Sequence, residues 1–143
     1  MVNFLVITHG EFGAYLVEAA EEIVGRQGEG VRVVSISSRL SVDEIKKRTR
    51  AFVDELYDER EGLVVVTDMV GGTPTNVALP LVRDLKNISI VSGVNLYMLI
   101  AGFSKRKTGD RLDVVAAMLR DGQRSIQDVG QKLLSHVHSA RKD

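Results

Sequence analysis

Four short β-branched runs, each followed by a stretch of helical periodicity, constrain what this chain can fold into more than any other feature. Residues 2–8 (VNFLVIT), 31–37 (VRVVSIS), 63–67 (LVVVT) and 88–92 (ISIVS) read as strands, with 63–67 the most apolar. Leu16, Val17, Ala20, Ile23 and Val24 recur at three- and four-residue spacing, which predicts a helix over 14–24 stopped by Gly25. Ser41 and Glu44 form a capping-box signature ahead of a helix carrying Val42, Ile45, Phe52, Val53 and Leu56. Thr73 can cap a helix that begins on Pro74 and runs to about Leu85, and Asn95 opens another through about Ala101. A basic loop, residues 105–109, leads to a helix capped by Asp110, with Leu112, Val115, Met118 and Leu119 on its inward face. Residues 123–138 fit a helix through Ile126, Val129, Leu133 and Val137, but Gly130 weakens it, so the segment stays open between helix and edge strand.

Strands alternating with helices need right-handed crossovers. The expected fold class is therefore α/β: a doubly wound, mostly parallel four-stranded sheet in the order 2-1-3-4 with helices on both faces. No repeat or linker interrupts residues 1–143, which are expected to form one domain.

Composition removes several function classes. Nineteen Lys and Arg balance nineteen Asp and Glu, so no global positive field favours nucleic acid. The absence of cysteine excludes disulfides, thiolate metal sites and a cysteine nucleophile. No apolar run approaches the roughly 18 residues of a membrane-spanning helix, and strand-like residues follow Met1 directly without a leader pattern. The expected location is the cytoplasm.

In an open parallel sheet, ligands gather at the carboxyl ends of the strands. Those ends carry Thr8-His9-Gly10, Ser37-Ser38-Arg39, the segment Asp68 to Thr73, and Ser92-Gly93-Val94-Asn95. The 2-1-3-4 order makes the first and third strands neighbours, so His9 meets Asp68. A carboxylate beside an imidazole fixes which ring nitrogen holds the proton and frees the other as base, nucleophile or ligand. The Gly71-Gly72-Thr73-Pro74 turn offers converging backbone N–H groups and a helix start, which suits phosphate, and the Thr73 or Thr75 hydroxyl could donate a further hydrogen bond.

Taken singly these features are ordinary. A histidine after a strand is commonly a turn residue, an aspartate caps loops, and two glycines fall short of a P-loop, since no Gly-Lys-Ser or Gly-Lys-Thr occurs. Their convergence on one edge points to a histidine that accepts a phosphoryl group, with no metal or cofactor of its own. His136 and His138 could ligate a metal only from an exposed edge strand and are expected to be solvated. The 105–107 Lys-Arg-Lys run is expected to be a wet loop able to attract an acidic partner.

These residues resemble the IIA domain of the mannose family of the bacterial phosphoenolpyruvate-dependent sugar phosphotransferase system. The resemblance rests on Thr8-His9-Gly10, on the run from Val66 to Asn76 and on the run from Ser92 to Leu99, and it covers roughly residues 2–130. It implies that His9 is phosphorylated on Nε2 while Asp68 orients the ring through Nδ1. It also implies that the phosphoryl group comes from the small carrier HPr and leaves to a histidine of a IIB component. The family commonly has Ser where this chain has Thr73, which keeps the hydroxyl. No IIB domain or linker follows, so the acceptor is expected on a separate chain, with any membrane contact made through it. Docking is expected over an apolar patch at Met69 and Val70, steered by Arg39 or by the lysines and arginine at 105–107. The resemblance further implies a homodimer, in some members formed by an exchanged C-terminal edge strand. Two other readings are a phosphocarrier for dihydroxyacetone kinase and a regulatory module whose phosphorylation state controls a protein partner.

Overall fold

The computed structural model describes residues 1–142. Its strands are β1 (Asn3–His9), β2 (Val31–Ile36), β3 (Leu63–Thr67) and β4 (Ile88–Val91). The helices are α1 (Phe12–Val24), α2 (Val42–Leu56), α3 (Thr73–Ala78), α4 (Leu81–Asp84), α5 (Leu96–Lys105), α6 (Arg111–Arg124) and α7 (Val129–Lys142). The sheet runs β2-β1-β3-β4 with every pair parallel, as the alternation of strand and helix required.

Alternate residues of the central strands serve two cores. Phe4, Val6, Val64 and Val66 pack beneath α1, α5 and α6 through Ala20, Leu99, Phe103, Val114 and Met118. Leu5, Ile7, Leu63 and Val65 pack on the other face against Val53 and Leu56 of α2, Ala78 of α3 and Leu81 of α4. Burying each such aliphatic side chain contributes about 1.5–3 kcal/mol, which is why the middle strands are almost wholly apolar. Phe4 and Phe103 meet edge to face with ring centroids 5.4 Å apart. The Ser41–Glu44 capping box closes the start of α2, with Ser41 Oγ accepting the Glu44 N–H at 3.2 Å. None of the described helices is long and apolar enough to cross a membrane.

Five local expectations are corrected. The helix expected from Pro74 to Leu85 breaks into α3 and α4, because Pro80 lacks the N–H that would continue the ladder. Gly72, not Thr73, occupies the N-cap of α3, and no side chain caps it. The inward face of α6 is Val114, Ala117, Met118 and Gly122 with the expected Val115 half-buried against the same core, leaving Leu112 and Leu119 exposed. The segment left open between helix and strand forms α7 from Val129, where the Asp128 carboxylate accepts the Gln131 N–H at 2.9 Å. With that segment helical, no exchanged edge strand is present among the described residues, and His136 and His138 diverge around α7 instead of sharing a strand face.

The fifth correction concerns the basic loop. α5 extends through Lys105, and Arg106 is fully buried at the amino edge of the sheet. Its Nε donates to the Val2 carbonyl at 2.8 Å and its Nη2 to the Glu29 carbonyl at 3.1 Å and to Asn3 Oδ1 at 3.3 Å. Its guanidinium lies 5.7 Å from the Phe4 ring centroid. The 105–107 run therefore sits at the end of the sheet opposite His9 and is part structural anchor.

Candidate active site

β1 ends on His9 and β3 ends one residue before Asp68, and the register that pairs Ile7 with Thr67 brings those two ends together. Asp68 Oδ2 lies 2.7 Å from His9 Nδ1 and also accepts the His9 backbone N–H at 2.8 Å. An ionised carboxylate can only accept, so Nδ1 carries the ring proton and Nε2 keeps its lone pair. The His9 side chain is 52% exposed and that of Asp68 only 14%. Burial pushes the Asp68 carboxyl up, but the hydrogen bonds from the His9 backbone and ring outweigh it and hold the carboxyl below its usual range. Asp68 Oδ1 is buried and takes no hydrogen bond from the protein, so both bonds fall on one oxygen.

Two glycines bring the next turn against the ring. Gly71 has φ +84°, a conformation that disfavours any side chain. Gly72 lies so close to the imidazole that an added Cβ would stand 3.0 Å from His9 Cε1. At the head of α1, Thr8 Oγ1 accepts the Gly13 N–H at 2.7 Å and Gly10, at φ +55°, turns the chain away.

The expected site residues are partly gathered here. His9, Asp68, Gly71, Gly72 and Thr73 share the carboxyl edge of β1 and β3. Thr75, expected as a phosphate donor, is buried and spends its only hydroxyl proton on the Met69 carbonyl at 2.6 Å, while its oxygen lies 2.7 Å from Thr67 Oγ1. Met69 and Val70 are exposed beside the turn. Arg39 is exposed in the loop after β2, and among the described residues its guanidinium makes no ion pair. Sequence reasoning missed the Thr67 hydroxyl and the packing of Gly72 on the ring; the doubled glycine was the available signal for the second. A groove of about 490 Å³ lined by Glu11, Val33, Ser35, Arg48 and Phe52 among others contains neither His9 nor Asp68. The half-exposed imidazole is open to a group presented from outside the protein.

The sequence profile of the family described as "PTS system fructose IIA component" matches residues 3–119. The chain belongs to this family. It is 25% identical over 143 residues to the PTS system fructose-specific EIIA component of Bacillus subtilis, covering all of this chain and 96% of that protein. It is 25% identical over 132 residues to the mannose-specific EIIAB component of Escherichia coli, covering 92% of this chain but only 40% of that longer protein. Among solved structures, the PTS IIA protein associated with the fucose utilization operon of Streptococcus pneumoniae superposes with a TM-score of 0.83 at 30% identity, covering 92% and 96% of the two chains. As an EIIA protein the chain is a component of a sugar phosphotransferase system, and its four-stranded parallel sheet is the fold of those structures.

Proposed function

We propose that this EIIA protein carries a phosphoryl group on His9 Nε2, taking it in the cytoplasm from the phosphohistidine of HPr and passing it to a histidine of a IIB component on a separate chain. The observation that carries the reading is the Nδ1 proton held by Asp68, which leaves Nε2 as the ring's free nucleophile on an exposed edge. In the forward step the Nε2–P bond forms as the N–P bond of the donor breaks, and the donor nitrogen keeps the electron pair. The Nδ1 proton stays between the ring and Asp68, where the carboxylate balances the positive charge that develops on the imidazole. Backbone N–H groups of the Gly71–Gly72 turn and the Thr73 hydroxyl are the groups assigned to the phosphoryl oxygens, favoured by the start of α3. No chemistry beyond positioning and charge stabilisation is needed for such a transfer.

Incubation with phosphoenolpyruvate, enzyme I and HPr tests this by mass spectrometry. The wild-type chain should gain one acid-labile phosphoryl group and a folded His9→Ala variant none. Undiminished labelling of that variant would overturn the assignment.

A further inference from the structure

We propose that Thr75, backed by Thr67, is a positioning residue that holds the Met69–Gly72 turn against His9 in the arrangement phosphoryl transfer needs; this rests on the reading of His9 as the phosphoryl acceptor. Thr75 Oγ1 has one proton, and the 2.6 Å contact with the Met69 carbonyl uses it. The 2.7 Å contact between the two hydroxyls must then be donated by Thr67. The result is a directed chain, Thr67 O–H to Thr75 O–H to Met69 C=O, running from the fully buried end of β3 to the turn.

The turn has little else to hold it. Met69 and Val70 expose their side chains, and Gly71 has none. Besides the bond to Thr75, the Met69 N–H is directed at the Asp68 carboxylate, and the Gly72 carbonyl takes the Asn76 N–H at 3.0 Å. Yet Gly72 is packed close against His9 Cε1, so a turn that drifts would carry its N–H groups away from Nε2. Position 75 is buried beside Val77 and Ala78, where valine would fill the same space. Packing alone gives no reason for a hydroxyl there; the tether to Met69 does. Because its proton is already committed, Thr75 does not contact the phosphoryl group and acts only through the turn.

The test compares wild type with Thr75→Val, Thr75→Ser and the double variant Thr67→Val/Thr75→Val, which leaves no orphaned hydroxyl. Two quantities are read: backbone ¹⁵N order parameters of Val70, Gly71 and Gly72 without phosphate, and the transfer rate from phospho-HPr separated into saturating rate and half-saturation. Both valine variants should drop the order parameters from about 0.85 toward about 0.6 in the turn alone. They should lower the saturating rate about 10- to 100-fold with half-saturation little changed. Thr75→Ser should restore both. An unchanged turn and rate in folded Thr75→Val would overturn the proposal, and so would a loss that serine fails to restore. If wild type took up no phosphoryl group, the reading of His9 would fall, and the order parameters would still decide whether the hydroxyl holds the turn.

Discussion

His9 Nδ1 and Asp68 Oδ2 lie 2.7 Å apart, although 59 residues separate them in sequence. The same oxygen takes the His9 backbone N–H at 2.8 Å, so one carboxylate fixes both the position of the residue and the tautomer of its ring. Asp68→Asn keeps the shape but has no good arrangement. With its oxygen toward His9, the amide nitrogen takes the buried Oδ1 position without a partner; flipped, the amide confronts two donors or forces Nδ1 to accept, which places the proton on Nε2. Phosphoryl uptake measured by quenched-flow mass spectrometry should fall by about 100-fold or more in a folded Asp68→Asn protein. An unchanged rate would reduce Asp68 to a loop cap.

The lowered Asp68 pKa gives a pH signature with a definite sign. Its folded value lies below the ordinary aspartate value of 3.8, so the carboxylate's contribution to stability is complete above about pH 5 and is lost as pH falls through the folded pKa. The stability difference between wild type and Asp68→Asn should therefore be flat from neutrality to about pH 5 and shrink only below it. Urea unfolding at a series of pH values checks this; a difference that changed between pH 7 and 6 would contradict it.

Gly72→Ala tests the closeness of turn and ring. The backbone at Gly72, φ −89° and ψ 167°, suits alanine, so the fold should survive. The new Cβ would meet His9 Cε1 at 3.0 Å and Met69 Cγ at 3.2 Å, pushing the imidazole from its place. Transfer should slow by about 10- to 100-fold while the thermal midpoint moves only slightly. Loss of folding with normal transfer in the folded remainder would contradict this.

Arg106→Met should show that the opposite edge is structural. It would remove donors from the Val2 and Glu29 carbonyls and from Asn3 and Gln27 at once. Unfolding free energy should drop by about 3–5 kcal/mol, since buried acceptors would be left unpaired. His9 labelling per folded molecule should be unchanged, and denaturant titration paired with mass spectrometry separates the two.

These residues show what local pattern can and cannot carry. Strand order and the meeting of His9 with Asp68 were legible because crossover handedness and alternating burial leave few topologies for four apolar strands. Arg106 was misread because a Lys-Arg-Lys run resembles a solvated loop, yet at the C-cap of α5 it continues that helix's buried spacing Leu99–Phe103–Arg106. The break at Pro80 was also written in the sequence and outweighed by apolar periodicity. The Thr67–Thr75 contact left no comparable mark, since nothing in either residue's neighbourhood names its partner.

The apolar stripe of α7 is expected to pair with a second copy of the chain. Ile126 is 85% exposed, and Val129, Leu133 and Leu134 are exposed along the helix. An uncovered stripe of this kind is characteristic of an association surface, and a two-fold pairing buries it against itself. Light scattering should give a dimer for the full chain and a monomer for one ending at Ser125. A monomeric full chain at micromolar concentration would remove the expectation.

Arg39 is the residue on which partner steering can be tested without touching the chemistry. It lies at the same sheet edge as His9, in the loop after the neighbouring strand β2, exposed and without an ion pair among the described residues. Within the basic run at 105–107, Arg106 is buried at the far edge, and only Lys105 and Lys107 are exposed there. On the proposed function, a carrier that must release each partner calls for a modest docking surface, of which the exposed Met69 and Val70 would be the apolar part while charge sets the encounter rate. Reversal by Arg39→Glu should slow second-order transfer from phospho-HPr by about tenfold at low ionic strength, with the gap to wild type closing as salt approaches about 0.5 M. The saturating rate should stay the same, because Nε2 and its orienting carboxylate are untouched. Stopped-flow rates indifferent both to salt and to the reversal would leave the apolar residues alone to guide docking.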